Sequence, residues 1–171
     1  MNSALYESVS PDGPAPAASA AAANQAFDVA TRFGLLPVAP HQIWVAASPL
    51  PGFETLQRFV LIGLQAQRPF LWLQSVEDAG VSFLLAPAAH FGLRYAPIDR
   101  QSMPMVMVLL PAQSGQPLRA HGQAPLVFDA TSARFEQRIV EASEVEGDGV
   151  FVRQAEAPPT PGLMSRVLAL Q

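Results

Sequence analysis

Leu50-Pro51-Gly52-Phe53-Glu54, followed by Arg58-Phe59-Val60-Leu61-Ile62, then Pro69-Phe70-Leu71-Trp72 and Leu73-Gln74-Ser75-Val76-Glu77-Asp78, is the stretch whose reading decides the fold. Pro51 and Gly52 suit the two central positions of a type II turn. Proline presets the first φ, and glycine accepts the positive φ that follows. Phe53 then stands where it can plug the end of a core as the chain turns back. Phe59–Ile62 and Phe70–Leu73 are short, rich in β-forming residues and bounded by breakers, which predicts two strands. Their apolar runs are continuous rather than alternating, so both faces of each strand are expected to be covered. The stretch reads as turn, strand, turn, strand and acidic loop.

The same punctuation extends outward. On the N-terminal side, Thr31-Arg32-Phe33-Gly34 leads into Leu35-Leu36-Pro37-Val38, then a turn at Pro40-His41, then Ile43-Trp44-Val45. On the C-terminal side, Gly80 turns the chain into Val81–Leu85, and Met105–Leu110 is a strand closed by Pro111. Leu126-Val127-Phe128 is expected to pair with Glu136–Glu141 around Asp129–Arg134. Asp148-Gly149 is a two-residue hairpin signal, with Val150-Phe151-Val152 after it. Strands at roughly ten-residue spacing, with little helical periodicity between them, predict a mainly all-β chain. The expected architecture is a small antiparallel β-barrel-like domain or sandwich over residues 27–153.

The flanks read differently. Residues 1–26 predict a flexible arm rich in alanine and proline, with at most a helical turn near Ala17–Ala23. It has almost no large apolar residue to dock with, and isolated short helices are marginal. Residues 154–171 form a proline-rich tail. Within it, Leu163–Leu170 is either a short helix, with Leu163, Val167 and Leu170 on one side, or a frayed end.

Composition narrows the function. The 171 residues give room for one domain with tails. There is no cysteine, which excludes disulfides, thiolate zinc sites and cysteine nucleophiles and suits a reducing cytoplasm. All ten basic residues are arginine, so there is neither a Walker A phosphate grip nor a Schiff-base lysine. A net charge of −4 with no basic stripe argues against direct nucleic-acid binding and fits either plain solubility or a basic protein partner. No apolar run reaches the ~18 residues of a membrane span. The first residues lack the basic and apolar regions of a signal peptide. A cytoplasmic monomer away from the membrane is the expectation.

Chemistry-bearing motifs are sparse. His41, His90 and His121 stand in unrelated loops without ligand spacing, so no metal or other cofactor is expected. There is no Gly-x-Ser-x-Gly elbow. Glu77 and Asp78 are adjacent, and neighbours on a strand point to opposite faces, so the pair would not converge on one bond. They read either as a solvated turn before Gly80 or as partner contacts. Glu146-Gly147-Asp148-Gly149 lacks the alternating oxygen ligands of a calcium loop. No catalytic residue is assigned. Two polar residues ask for a further reason. Glu54 is not required by its turn. Gln74 interrupts an apolar strand, where a buried amide must be hydrogen-bonded, and is expected to organise the neighbouring loop. Glu54, Gln74, Glu77 and Asp78 are therefore the candidate partner-binding residues. Glu54, Glu77 and Asp78 are the candidate charged contacts, while Gln74 and Phe53 hold the surface. Pro51, Gly52 and Phe53 are structural.

In order and spacing these motifs resemble the FliW family. Thr31–Gly34 is similar to its first strand and glycine turn. Leu50–Glu54, Arg58-Phe59, Pro69-Phe70 and Leu73–Asp78 follow in family order. Phe83, Pro87 and Phe91 match the next segment, and Gln137 matches a glutamine in the closing strand. Ala124-Pro125-Leu126-Val127-Phe128 resembles a family strand, which makes Ala124 and Pro125 structural as well. The likeness spans roughly residues 31–141. The chain departs from the pattern in three places. Gly92–Ser102 is a short connection where the family has a longer acidic insertion. His121-Gly122-Gln123 stands where an asparagine is usual, and Asp129 replaces another. The resemblance implies a small antiparallel β-barrel-like fold and a regulator without catalysis. It implies binding to the RNA-binding translational repressor CsrA, relieving its block on flagellin synthesis, and binding to flagellin. Two alternatives stay open: a flagellin-binding chaperone only, or a β-barrel that binds a small ligand.

Overall fold

The computed structural model describes residues 25–99, 102–153 and 161–171. The expected arm over 1–26, with its helical turn, lies outside them except for its last two residues. Chain order begins with β1 (Phe27–Thr31), β2 (Gly34–Val38), β3 (Ile43–Ala46), β4 (Arg58–Leu64), β5 (Leu71–Ser75) and β6 (Ser82–Pro87). It continues with β7 (Arg94–Tyr95), β8 (Met103–Leu109), β9 (Arg119–Ala120), β10 (Leu126–Asp129), β11 (Arg134–Gln137) and β12 (Val145–Glu146). One turn of helix, α1 (Pro161–Met164), precedes β13 (Leu168–Leu170).

Seven of these strands close a barrel in the order β10-β11-β3-β4-β5-β6-β8, with β8 pairing back to β10. The neighbours run antiparallel except β11 with β3. Closure leaves these strands without an open edge over most of their length. The expected all-β barrel is thus the observed one, with Phe59–Ile62 and Leu71–Leu73 paired in its wall.

The continuous apolar runs are explained by three buried layers. Side chains alternate across a strand, so odd and even positions face different layers. Phe59, Leu61, Leu73, Leu85 and Met105 point into the barrel with Trp44, Leu126 and Phe135. The Trp44 ring meets Phe128 edge-on at 5.0 Å, and Phe128 stacks on Phe135 at 5.1 Å. Val60 and Ile62 point outward and are roofed by the β1–β2 hairpin through Val29 and Val38. On the other flank Ala86, Val106 and Val127 lie under Phe91, Leu93 and Ile98. The middle of the barrel is packed with side chains, and the space lined by Met103, Met105 and Leu163 lies at one end, beside the C-terminal tail. Phe83 and Met107 border this interior, but Trp72 does not join it. Trp72 faces the hairpin, 6.0 Å edge-on to Phe33, and its indole donates to Gln67 Oε1 at 3.1 Å.

Three local readings change. The partner strand of Leu126–Asp129 is Arg134–Gln137 rather than Glu136–Glu141, because the turn at Asp129 is tight. Its carboxylate accepts from Thr131 N–H and the Ser132 hydroxyl, reversing the chain within four residues. At Asp148-Gly149 the Asp148 carboxylate accepts from Val150 N–H at 3.0 Å, but the pair does not join a hairpin. Val145–Glu146 pairs instead with Arg94–Tyr95, while Val150 bridges to Arg119. At the C-terminus the helical turn is Pro161–Met164, so the helical reading of Leu163–Leu170 holds for its first two residues only, and Leu168–Leu170 is a strand parallel to β4.

Candidate functional site

The candidate residues gather at one end of the barrel, where β4 begins, β5 ends and β6 begins. Three short segments meet there: the turn 50–54, the hairpin tip 31–34 and the loop 75–81.

In the first segment, Phe53 N–H donates to Leu50 C=O at 2.9 Å, and Gly52 has φ +82°. These are the marks of a type II turn. Phe53 is half-buried, edge-on to Phe83 at 5.0 Å, and anchors the turn to the start of β6. Glu54 takes part in the same turn. Its carboxylate accepts from Gly52 N–H at 2.8 Å, and that hydrogen bond holds its pKa below the ordinary carboxylate value. The sequence reading, in which the turn does not require Glu54, is extended by this bond, which ties the carboxylate to the turn backbone.

Gln74 is the centre of the site. It is wholly buried, with 0 % exposure. Its Oε1 accepts from Arg32 N–H at 3.1 Å, at the hairpin tip. Its Nε2 donates among the carbonyls of Ser75, Asp78, Ala79 and Val81 at 3.0–3.3 Å. One amide thus ties the hairpin to the loop and meets the demand that buried polar groups be paired. The expectation that Gln74 organises its neighbouring loop agrees with this geometry. As a contact residue it is corrected, because an enclosed amide cannot itself touch a partner.

Ser75, also fully buried, works beside it. Its hydroxyl accepts from Glu77 N–H at 3.1 Å and from Asp78 N–H at 3.0 Å. Asp78 Oδ1 accepts from Gly80 N–H at 2.8 Å. Glu77 turns back across β4. Its carboxylate pairs with the Arg58 guanidinium at 2.8 Å and also accepts from Arg58 N–H. Partial burial pushes the Glu77 carboxyl up, but the Arg58 hydrogen bonds outweigh it and hold the pKa below the ordinary value. Glu77 and Asp78 diverge, as adjacent residues should, and Glu77 is already matched by a cation.

The face also carries residues to which the sequence reading gave no role. Arg32 is exposed, lies 3.9 Å above the Trp72 ring and donates to Ser82 Oγ at 3.2 Å. Arginine and tryptophan in such stacks are frequent anchors of protein interfaces. Neither this stack nor the Arg58–Glu77 pair is local in sequence, the latter spanning 19 positions. The hints were Arg32 within Thr31–Gly34 and Arg58-Phe59, both part of the family pattern. The exposed charged side chains are Glu54, Glu77 and Asp78 beside Arg32 and Arg58, a mixed face rather than a purely acidic one. Ala124 and Pro125 lie elsewhere, buried at the start of β10, where Pro125 C=O accepts from Arg138 N–H at 2.9 Å.

Among the described residues, no group of three or more His, Cys, Asp or Glu side chains could hold a metal ion. No helix among them is long and apolar enough to cross a membrane.

Comparisons with known proteins converge on one family. The family model described as FliW protein matches residues 28–148. A flagellar assembly factor FliW of Leptospira interrogans is 27% identical over 110 residues, covering 57% of this chain and 73% of that protein. Another, of Syntrophotalea carbinolica, is 26% identical over 129 residues, covering 68% of this chain and 91% of that protein. A crystal structure of the flagellar assembly factor FliW superposes with a TM-score of 0.61. It is 21% identical and covers 75% of this chain and all of the solved one, a likeness of fold.

Proposed function

The chain belongs to the FliW family, and from that premise we propose that it serves flagellar assembly as a non-catalytic regulator that works by binding proteins. In this reading it binds and antagonises a CsrA-type RNA-binding regulator and also binds flagellin. It works in the cytoplasm as a monomer, without a cofactor, membrane attachment or direct contact with nucleic acid.

The observation that carries the proposal is the enclosed Gln74 amide. It joins the hairpin tip to the 78–81 loop and so fixes a polar face before any partner arrives. A preformed surface loses little freedom on binding, which is how a small domain reaches useful affinity. The carboxylates on this face are engaged by turn and strand donors. No nucleophile, base and oxyanion donor converge among them, which supports binding over catalysis. Complementary charge would speed encounter with a basic partner and fix its register.

Calorimetry of the full chain against a CsrA-type protein tests this. Asp78→Arg is the cleaner substitution, since Glu77→Arg also strips Arg58 of its partner. Charge reversal at position 78 should weaken binding about tenfold or more. Unchanged affinity in Asp78→Arg and in the double variant with Glu77→Arg would remove both residues from the interface. A flagellin-only chaperone is favoured by one observation, the short Gly92–Ser102 connection. Separate pull-downs with each partner distinguish it, since capture of flagellin alone would select that version.

A further inference from the structure

The opposite end of the barrel carries a second surface, independent of the face just described. β4 pairs with β5 along one edge as far as Ile62. On its other edge β3 covers only Arg58–Val60, which leaves Ile62–Leu64 open to another strand. The chain's own tail takes that place. Leu168, Ala169 and Leu170 align in parallel with Ile62, Gly63 and Leu64. Leu168 and Leu170 pack on the apolar layer that the β1–β2 hairpin roofs. Opposite Ala169, Gly63 is crowded, since an added Cβ would come 3.1 Å from Leu71 and 3.2 Å from Val167. The seat therefore suits an aliphatic, small, aliphatic sequence in extended form.

The tail is held unevenly. Leu163 is buried in the barrel core, and Arg166 donates to the carbonyls of Ala130 and His41. Beyond that anchor, the strand pairs over three residues only. A cavity of 560 Å³ remains between tail and barrel, lined largely by apolar groups of Phe70, Met103, Met105, Leu163 and Val167. This space is a cleft open to solvent, so the tail covers this end of the barrel without closing over it. The covered edge lies inside the stretch matched by the family model, residues 28–148, whereas the tail lies after it.

We propose that the Ile62–Leu64 edge is a strand-addition site for an extended partner segment with aliphatic residues at alternate positions. Leu168-Ala169-Leu170 occupies it in cis as an exchangeable stand-in. Main-chain pairing to an edge supplies affinity in such sites, and alternate side chains supply specificity. A tethered occupant competes at roughly millimolar effective concentration, so a partner engages only when it outbids the tail or the tail is released.

The probe is a labelled synthetic peptide with the sequence of residues 161–171, titrated by fluorescence anisotropy. Against the full chain it should bind weakly. Against the full chain carrying Leu168→Asp and Leu170→Asp it should bind about tenfold or more tightly, because the competitor is gone. Near-ultraviolet circular dichroism establishes that this variant keeps its fold. Equal binding to both folded proteins would overturn the proposal. A second variant does not depend on weakening the tail. The chain has no cysteine, so Leu64→Cys with Leu170→Cys offers one pair, at positions already in register. Oxidation should form an intramolecular bridge and abolish peptide binding, and reduction should restore it. Binding that ignores the bridge would overturn the site. A bridge forming only between two chains would place a second copy's tail on the edge and overturn occupancy in cis.

Discussion

At one end of the barrel the Gln74 amide, the Ser75 hydroxyl and the Arg58–Glu77 pair tie three loops together through polar groups with defined partners. At the other end, Leu163 and the Leu168–Leu170 strand lie over a 560 Å³ cavity, held mostly by apolar contact. The first closure is directional, and each donor fixes one acceptor. The second combines a three-residue strand pairing and the Arg166 hydrogen bonds with apolar contact, and leaves an open cleft beside it. A polar network enforces a single arrangement because a broken member leaves a buried group unpaired. An apolar cover tolerates exchange, because another aliphatic segment satisfies the same surface. One end is thus suited to present a fixed face and the other to trade one strand for another.

Substitutions on the two ends can break that contrast. Gln74→Leu keeps the volume and removes the amide, leaving Arg32 N–H and the loop carbonyls without their partner. It should cost about 1–3 kcal/mol in chemical denaturation and raise hydrogen exchange through residues 78–81. Near-native exchange there would show that the amide does not hold the loop. Leu168→Ala at the far end should cost about 1 kcal/mol or less, since the side chain is only half-buried and the strand is short. A loss as large as that of Gln74→Leu would mean the tail is an integral wall rather than a cover.

The smallest effect concerns pH. The Glu77 pKa is lowered in the folded chain from its ordinary 4.5. Its contribution is therefore present above that value and lost as pH falls through the lower folded one. The pair is largely solvent-exposed, so the effect stays within the ~1 kcal/mol of surface ion pairs. Stability measured from pH 7 down to pH 3 should fall slightly more in the wild type than in Glu77→Gln. Parallel curves would show that the Arg58 pair adds nothing.

Much of the fold was legible because its signals are local. Pro51-Gly52 demands a turn, and the unbroken apolar runs at 59–62 and 70–73 demand cover on both faces. What supplies the cover was not legible, since nothing in Val60 or Ile62 names the β1–β2 hairpin as their roof. Trp72 stands in an unbroken apolar run, yet parity along β5 sends it outward, opposite to Leu71 and Leu73. Within the site, Gln74 stood out as a lone amide among aliphatic residues. Arg58 and Glu77 come together only through the pairing of β4 with β5, and Arg32 reaches Trp72 only through the hairpin. The bond from Gly52 N–H to Glu54 was not legible, because a turn's backbone requirements say nothing about a carboxylate folding back on it. The spacing of Leu163, Val167 and Leu170 suited a helix, while Leu168–Leu170 pair with an edge that no local pattern reveals.

The most direct measurement is hydrogen exchange of the full chain with and without a CsrA-type protein, read peptide by peptide. New protection is expected at residues 31–34 and 76–81, the segments joined by Gln74, with residues 161–171 unchanged. Protection confined to 62–71 and 161–171, with the polar face unaffected, would contradict it.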